Sequence, residues 1–268
     1  MKNKLFVKEN DLFAVWKTNL KDEDKNSEFI PDGLLGSDLF YEDGQWKRQS
    51  GCESINWLNA SIRPLFLLKD LNGDSDGAYD IRTASCLNTD PERPKEGDKL
   101  GRNLIRYCYG IIQCCRTGIA PSFEEAKAYG VELFKETALV RMNVKKTMGT
   151  SKIDKSTIEN WIVRYSEYIT AQLSIYDANI IYSGGIGMKP NEYLKIIPDW
   201  EYYTPIDTGD ANKDNLWILY AEKLNKIIIN GYHLSHRYKE DECYDKIMVH
   251  LVRFLEMHPE FREQLFKS

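Results

Sequence analysis

The chain has 268 residues, with 36 Lys and Arg against 41 Asp and Glu, a formal charge of −5. That length suffices for one large domain with a buried core, and 42% hydrophobic with 29% charged residues excludes wholesale disorder. No apolar run reaches the roughly 20 residues of a membrane span, and the opening MKNKLFVKENDLF lacks the apolar stretch of a secretory signal. A soluble, cytoplasmic protein is expected. Six cysteines, none in a C-x-x-C pair, read as reduced thiols packed as small hydrophobes.

Residues 1–60 read as an irregular N-terminal segment wrapping a core at 61–268, the whole forming a single domain. Turn signals stand at Pro31-Asp32-Gly33 and Asp43-Gly44. Four short apolar runs follow: Pro64 to Leu68, Ala138 to Val144, Ala178 to Tyr182, and Lys226 to Gly231. Continuous runs this short predict strands buried on both faces. Between them, Leu100, Leu104, Ile105, Cys108, Ile111, Ile112 and Cys115 recur at helical spacing, and Ser122-Phe-Glu-Glu125 has the form of a capping box. Further helices are predicted over 156–176, 214–224 and 241–257. The alternation predicts a three-layer α/β/α sandwich around a four-stranded, mainly parallel sheet.

In such sheets, ligands sit outside the carboxyl ends of the strands. The residues after the first run are Lys69, Asp70, Leu71, Asn72 and Gly73, and after the second core Asn143, Lys145 and Lys146. The third run leads into Ser183, Gly184 and Gly185, and the fourth into Tyr232, His233, Leu234, Ser235, His236 and Arg237. Solvated loops alone give strand ends polar residues. This set also suits a polar ligand with an anionic part, because Lys69, Lys145, Lys146 and Arg237 supply a local positive patch that the net charge does not.

Leu65-Phe-Leu-Leu-Lys-Asp-Leu-Asn72, Val140-Arg-Met-Asn143, Ile180-Ile-Tyr-Ser-Gly-Gly185 and His233-Leu234-Ser235 resemble, in that order, the four strand-end motifs of the uracil-DNA glycosylase superfamily. The resemblance runs from about residue 64 to the end. Leu71 and Asn72 stand where that family has Pro-Tyr, and Leu234 where it has Pro.

The resemblance implies hydrolysis of the N-glycosidic bond of a uracil-like damaged base in single- or double-stranded DNA, without metal or cofactor. Asp70 would stabilise the oxocarbenium-like sugar and orient water, and His233 would donate to the departing base. Asn143 would read the amide edge of an extruded base, with Asn72 beside it and Tyr79 stacking on the ring. Lys69, Lys145, Lys146, Ser183, Ser235 and Arg237 would contact phosphates. Each residue also has an ordinary reading: Asp70 as a turn carboxylate, Asn143 as a partner for backbone groups, and His233 as a structural hydrogen-bonder. The alternative function is a module of the same fold that binds a base, nucleotide or single strand without cutting it.

Other motifs fall away. The calcium-like run from Asp70 to Asp76 has Ser75 where the loop needs Gly and Ile81 where it needs a carboxylate. Gly184-Gly-Ile-Gly187 lacks nucleotide-loop spacing, and His233 and His236 lack a third zinc ligand at ligand spacing. No G-x-S-x-G elbow occurs.

Overall fold

The computed structural model describes residues 4–25, 27–69, 71, 79–88, 90, 92, 95–148, 155–186, 196–209 and 216–267. The first sixty residues are more regular than expected. They form helices α1 (Lys4–Thr18) and α2 (Asp22–Lys25), strands β1 (Gly33–Leu34), β2 (Asp38–Glu42) and β3 (Gln45–Gln49), and helix α3 (Glu53–Asn59). The buried stripe of α1 is Leu5, Glu9, Phe13 and Trp16, so a carboxylate interrupts the apolar spacing that would have announced the helix. Strands β2 and β3 pair as a hairpin across Asp43 and Gly44, both at positive φ (50° and 77°), the backbone a two-residue hairpin turn requires.

The four apolar runs become β4 (Pro64–Leu68), β5 (Val140–Asn143), β6 (Ile180–Gly184) and, further on, Lys226–Gly231. Between β4 and β5 lie α4 (Lys99–Thr117) and α5 (Phe123–Glu136), and between β5 and β6 lies α6 (Lys155–Tyr176). The Ser122 hydroxyl accepts from the Glu125 amide at 3.1 Å and so caps α5 as the sequence predicts. Strands β7 (Thr204–Ile206) and β8 (Trp217–Ala221) precede β9 (Lys226–Gly231), and α7 (Glu240–Met257) and α8 (Pro259–Leu265) close the chain.

The fold is mixed α/β, but its sheet has seven strands in the order β1-β5-β4-β6-β9-β8-β7. Neighbours from β5 to β9 are parallel, while β1, β8 and β7 add antiparallel strands at the two ends. The expected four-stranded sheet is therefore corrected to a larger, mixed one. The helix expected over 214–224 is corrected too: Trp217–Ala221 pairs antiparallel with β9, and only Glu222–Leu224 makes a helical turn. Asn225, in the left-handed region at φ 51°, closes that connection. Residues 214 and 215 lie outside the described set.

Side chains alternate across the sheet. Phe66, Leu68, Tyr182 and Ile229 pack with α4, α5 and α7, whereas Leu65, Leu67, Met142, Ile181 and Ile228 pack with α1 and α6. The helices after β4 thus lie on one face, and the helix after β5 on the other. The crossovers part at β4, which leaves a crevice at its carboxyl end.

The N-terminal segment is tied to this core by buried charges. Asp32 is fully buried, and its Oδ1 accepts from Lys146 Nζ at 2.5 Å and from Gln172 Nε2 at 2.9 Å. Its Oδ2 accepts from the Asn143 amide at 2.7 Å, at the end of β5. Tyr176 accepts from Gln172 at 3.0 Å and donates to Glu9 Oε1 at 2.8 Å. Glu9 Oε2 accepts from Arg82 at 3.0 Å, and Arg82 also pairs with Asp80 at 2.7 Å.

Removing one partner of a buried pair strands the other charge. Asp32→Ala is expected to lose about 3–5 kcal/mol in urea denaturation, and Asp32→Ala with Lys146→Met to recover part of that loss. Burial pushes the Glu9 carboxyl from 4.5 up to about 7, against the opposing pull of Arg82. The folded state therefore holds this proton after the unfolded chain has released it, so this group lowers stability as pH rises from about 4.5 to 7. Glu9→Gln is expected to remove that slope in denaturation midpoints measured across the interval.

Candidate functional site

A cavity of about 610 Å³ opens beside the carboxyl end of β4. Its walls come from β3, the segment before α4, the first turn of α4, β5 and the loop after β9. Tyr79, His233 and Ser235 line it, as does Leu71. Three residues assigned from sequence are thus brought together. Asp70 and Asn72 lie outside the described residues.

The loop after β9 is shaped by its neighbours. Leu234 is completely buried in the cluster with α4, and its carbonyl accepts from Asn103 Nδ2 at 2.5 Å. His236 donates its amide to the His233 carbonyl at 2.8 Å, closing a tight turn. Gly185, at φ 70°, faces this turn, and a Cβ there would stand 2.6 Å from the His233 Cβ. The glycine after β6 is what lets the histidine loop approach the sheet.

Within that turn, the Ser235 amide donates to His233 Nδ1 at 3.1 Å. Nδ1 is therefore an acceptor, which puts the proton of the neutral ring on Nε2. Burial lowers the His233 pKa to about 4, helped by Lys69, His236 and Arg141. At neutral pH, His233 is an uncharged imidazole with a single donor.

Arg141 is the residue that sequence reasoning missed. It lies in β5 two positions before Asn143, so both share one strand face. Its side chain lines the cavity and is 5% exposed. Nη1 lies 3.9 Å from Cys86 Sγ, and Nε has no hydrogen-bond partner among the described residues. A cation inside an otherwise apolar run was the available signal. Asp98 also lines the cavity, but its carboxylate accepts from the Gly101 amide at 2.7 Å and so caps α4.

Other assigned residues are committed elsewhere. Lys145 Nζ donates to the Thr147 and Met148 carbonyls at 2.8 Å and lies over the Trp161 ring. Lys146 is buried against Asp32. Neither presents its ammonium as a phosphate ligand, because the strand end turns both inward. Ser183 is fully buried and alternates with Tyr182, which places it on the α6 side of the sheet, away from the cavity. Asn143 is 2% exposed, and its Oδ1 lacks a partner among the described residues. Lys69 is half-buried, and Arg237 is exposed outside the cavity wall.

Among the described residues, no group of three or more His, Cys, Asp or Glu side chains is placed to hold a metal, and no helix is long and apolar enough to cross a membrane. Comparison of the chain with family models, curated proteins and solved structures finds no match.

A histidine with a lowered pKa titrates late. In an NMR pH titration, the His233 ring resonances, assigned through His233→Gln, are expected to shift with a midpoint near 4. A midpoint near 6.5 would mean that the buried, cation-flanked environment is absent.

Proposed function

We propose that the chain is a DNA glycosylase-like protein that hydrolyses the N-glycosidic bond of a damaged, uracil-like base. The observation that carries this reading is the state of His233. Its Nδ1 is occupied by the Ser235 amide and its ring is neutral at physiological pH, so Nε2–H is the donor it offers. Breaking the C1′–N bond sends the bonding electrons onto the base, and charge builds on a carbonyl oxygen. A neutral donor already in place stabilises that charge without changing protonation state during the reaction.

By the motif resemblance, Asp70 is the carboxylate that stabilises the positive sugar carbon and orients the water whose oxygen forms the new bond to C1′. The departing base finally takes up a proton from that water. Asn143 Oδ1, outside the cavity wall and without a partner among the described residues, is the acceptor the resemblance assigns to a base amide. Tyr79 offers a ring at the cavity wall. The parting of crossovers at β4 supports a ligand site at this end of the sheet.

The test is incubation with labelled oligonucleotides, single and double stranded, containing uracil or other deaminated bases, followed by alkali to reveal abasic sites. Cleavage is expected, with losses of about 100-fold or more in Asp70→Asn and His233→Ala. The rate should show no loss attributable to His233 between pH 5 and 8, because this ring protonates only near 4. Unchanged rates in both folded variants would overturn the assignment.

A second reading is a binding module that holds a base or nucleotide without cutting it. Leu71-Asn72 and Leu234, in place of the family's Pro-Tyr and Pro, favour it. Binding that survives Asp70→Asn, with no abasic product on any substrate, would select this reading.

A further inference from the structure

We infer that the cavity takes a ligand bearing a compact anionic group, a carboxylate or a phosphate, seated on the Arg141 guanidinium beside His233. The inference rests on the same cavity being the base site and narrows what that base or nucleotide must carry.

The argument starts from the cost of a buried cation. A guanidinium does not shed its proton, so a buried arginine needs partners for its charge and its N–H groups. Each of the other buried arginines has at least two guanidinium nitrogens bonded to oxygen. Arg82 pairs with Glu9 and Asp80. Arg106 pairs with Glu96 and with Glu240. Arg48 donates to the Gly36 and Phe134 carbonyls and lies over the Phe134 ring, with Nε alone unpartnered among the described residues.

Arg141 is as buried as these, yet among the described residues its side chain meets neither a carboxylate nor a carbonyl. Its contact is the Cys86 sulfur at 3.9 Å. Burial raises the pKa of that thiol, so at neutral pH it supplies no negative charge. Among the described residues the Nε–H has no acceptor, and the group borders open volume.

The surroundings sharpen the sign of the missing partner. Lys69 and Arg141 both act electrostatically on His233. Of the other charged groups on the wall, Lys47 is paired with Glu42 and Asp43, and Asp98 is bound to the amide of its own helix. The α4 N-terminus is thus filled by its own cap, which leaves Arg141 as the anion seat. A planar guanidinium matches a carboxylate or phosphate in a two-point contact, while the neutral His233 adds a donor without adding charge.

The negative group has two possible sources, the base itself or the phosphate of a nucleotide. Isothermal titration of the full chain separates them with uracil, uracil-6-carboxylate, uridine, uridine 5′-monophosphate and inorganic phosphate. In wild-type protein at low salt, at least one charged probe is expected to bind about tenfold or more tighter than its neutral counterpart. That advantage should fall in Arg141→Gln and be partly kept in Arg141→Lys.

An advantage confined to uracil-6-carboxylate places the anion on the base, and one confined to the monophosphate places it on the nucleotide. Equal binding of charged and neutral probes overturns the inference, as does an advantage that survives in folded Arg141→Gln. Should that variant fail to fold, the wild-type comparison and displacement by inorganic phosphate still decide. The readout is binding, so cleavage of uracil-containing DNA without anion preference would sink this inference alone. Anion preference without cleavage on any substrate would sink only the excision reaction.

Discussion

The Asp32 carboxylate fastens three parts of the chain at one buried point. It is buried with Lys146 and Gln172 and takes the Asn143 amide as well. It therefore joins the N-terminal segment, α6 and the end of β5. Without it the Asn143 amide would lose its acceptor and the buried Lys146 ammonium its counter-charge, and an unpaired buried charge costs far more than the pair gains over water. Tyr176 extends the same network to Glu9 on α1, and Arg82 carries it to the segment that precedes the cavity wall. The first sixty residues are in this way part of the core. The end of β5, where Arg141 and Asn143 face one side, is held from behind by them.

This arrangement also explains which parts of the architecture could be read from the sequence. Runs buried on both faces need no pattern beyond continuity, so β4 and β9 appear at the bounds expected and β5 and β6 within about two residues of them. Helices α4, α5, α6 and α7 present ordinary apolar stripes or caps. Helix α1 was hidden because Glu9 occupies a core position, and nothing local announces that Arg82 and Tyr176 will satisfy it. Strand β8 departs from the expected helix because an apolar segment of five residues is consistent with either period, and pairing with β9 decides it. Strands β1 and β7 have two and three residues, below what alternation can reveal.

At the site, the histidine loop was legible because a polar cluster directly after a buried strand has few alternative destinations. The lysines after β5 were not. Their ammonium groups turn inward to Asp32 and to backbone carbonyls, and such partners belong to the tertiary structure alone. Pro31-Asp32-Gly33 was read as a turn for the same reason. Arg141 shows the converse: its placement in an apolar strand is visible, but its importance depends on its having no oxygen partner among the described residues, which no sequence records. Leu234 shows a loop set by packing, since its side chain enters the apolar cluster and its carbonyl is held by Asn103.

The hairpin of β2 and β3 stands apart from the main sheet, yet Gln45, Trp46 and Lys47 form one wall of the cavity. Trp46 is fastened by a hydrogen bond from its indole to the Asp90 carbonyl at 2.9 Å, while the tip at Gly44 has open space around it. The tip of this ribbon is therefore free of the seven-stranded sheet, while Arg48 on β3 ties its base to Phe134 of α5. Lengthening the chain at Asp43-Gly44 would alter the approach to this wall without touching the seven-stranded sheet. Such a ribbon gives this architecture a means of drifting from one guest molecule to another without first having to refold.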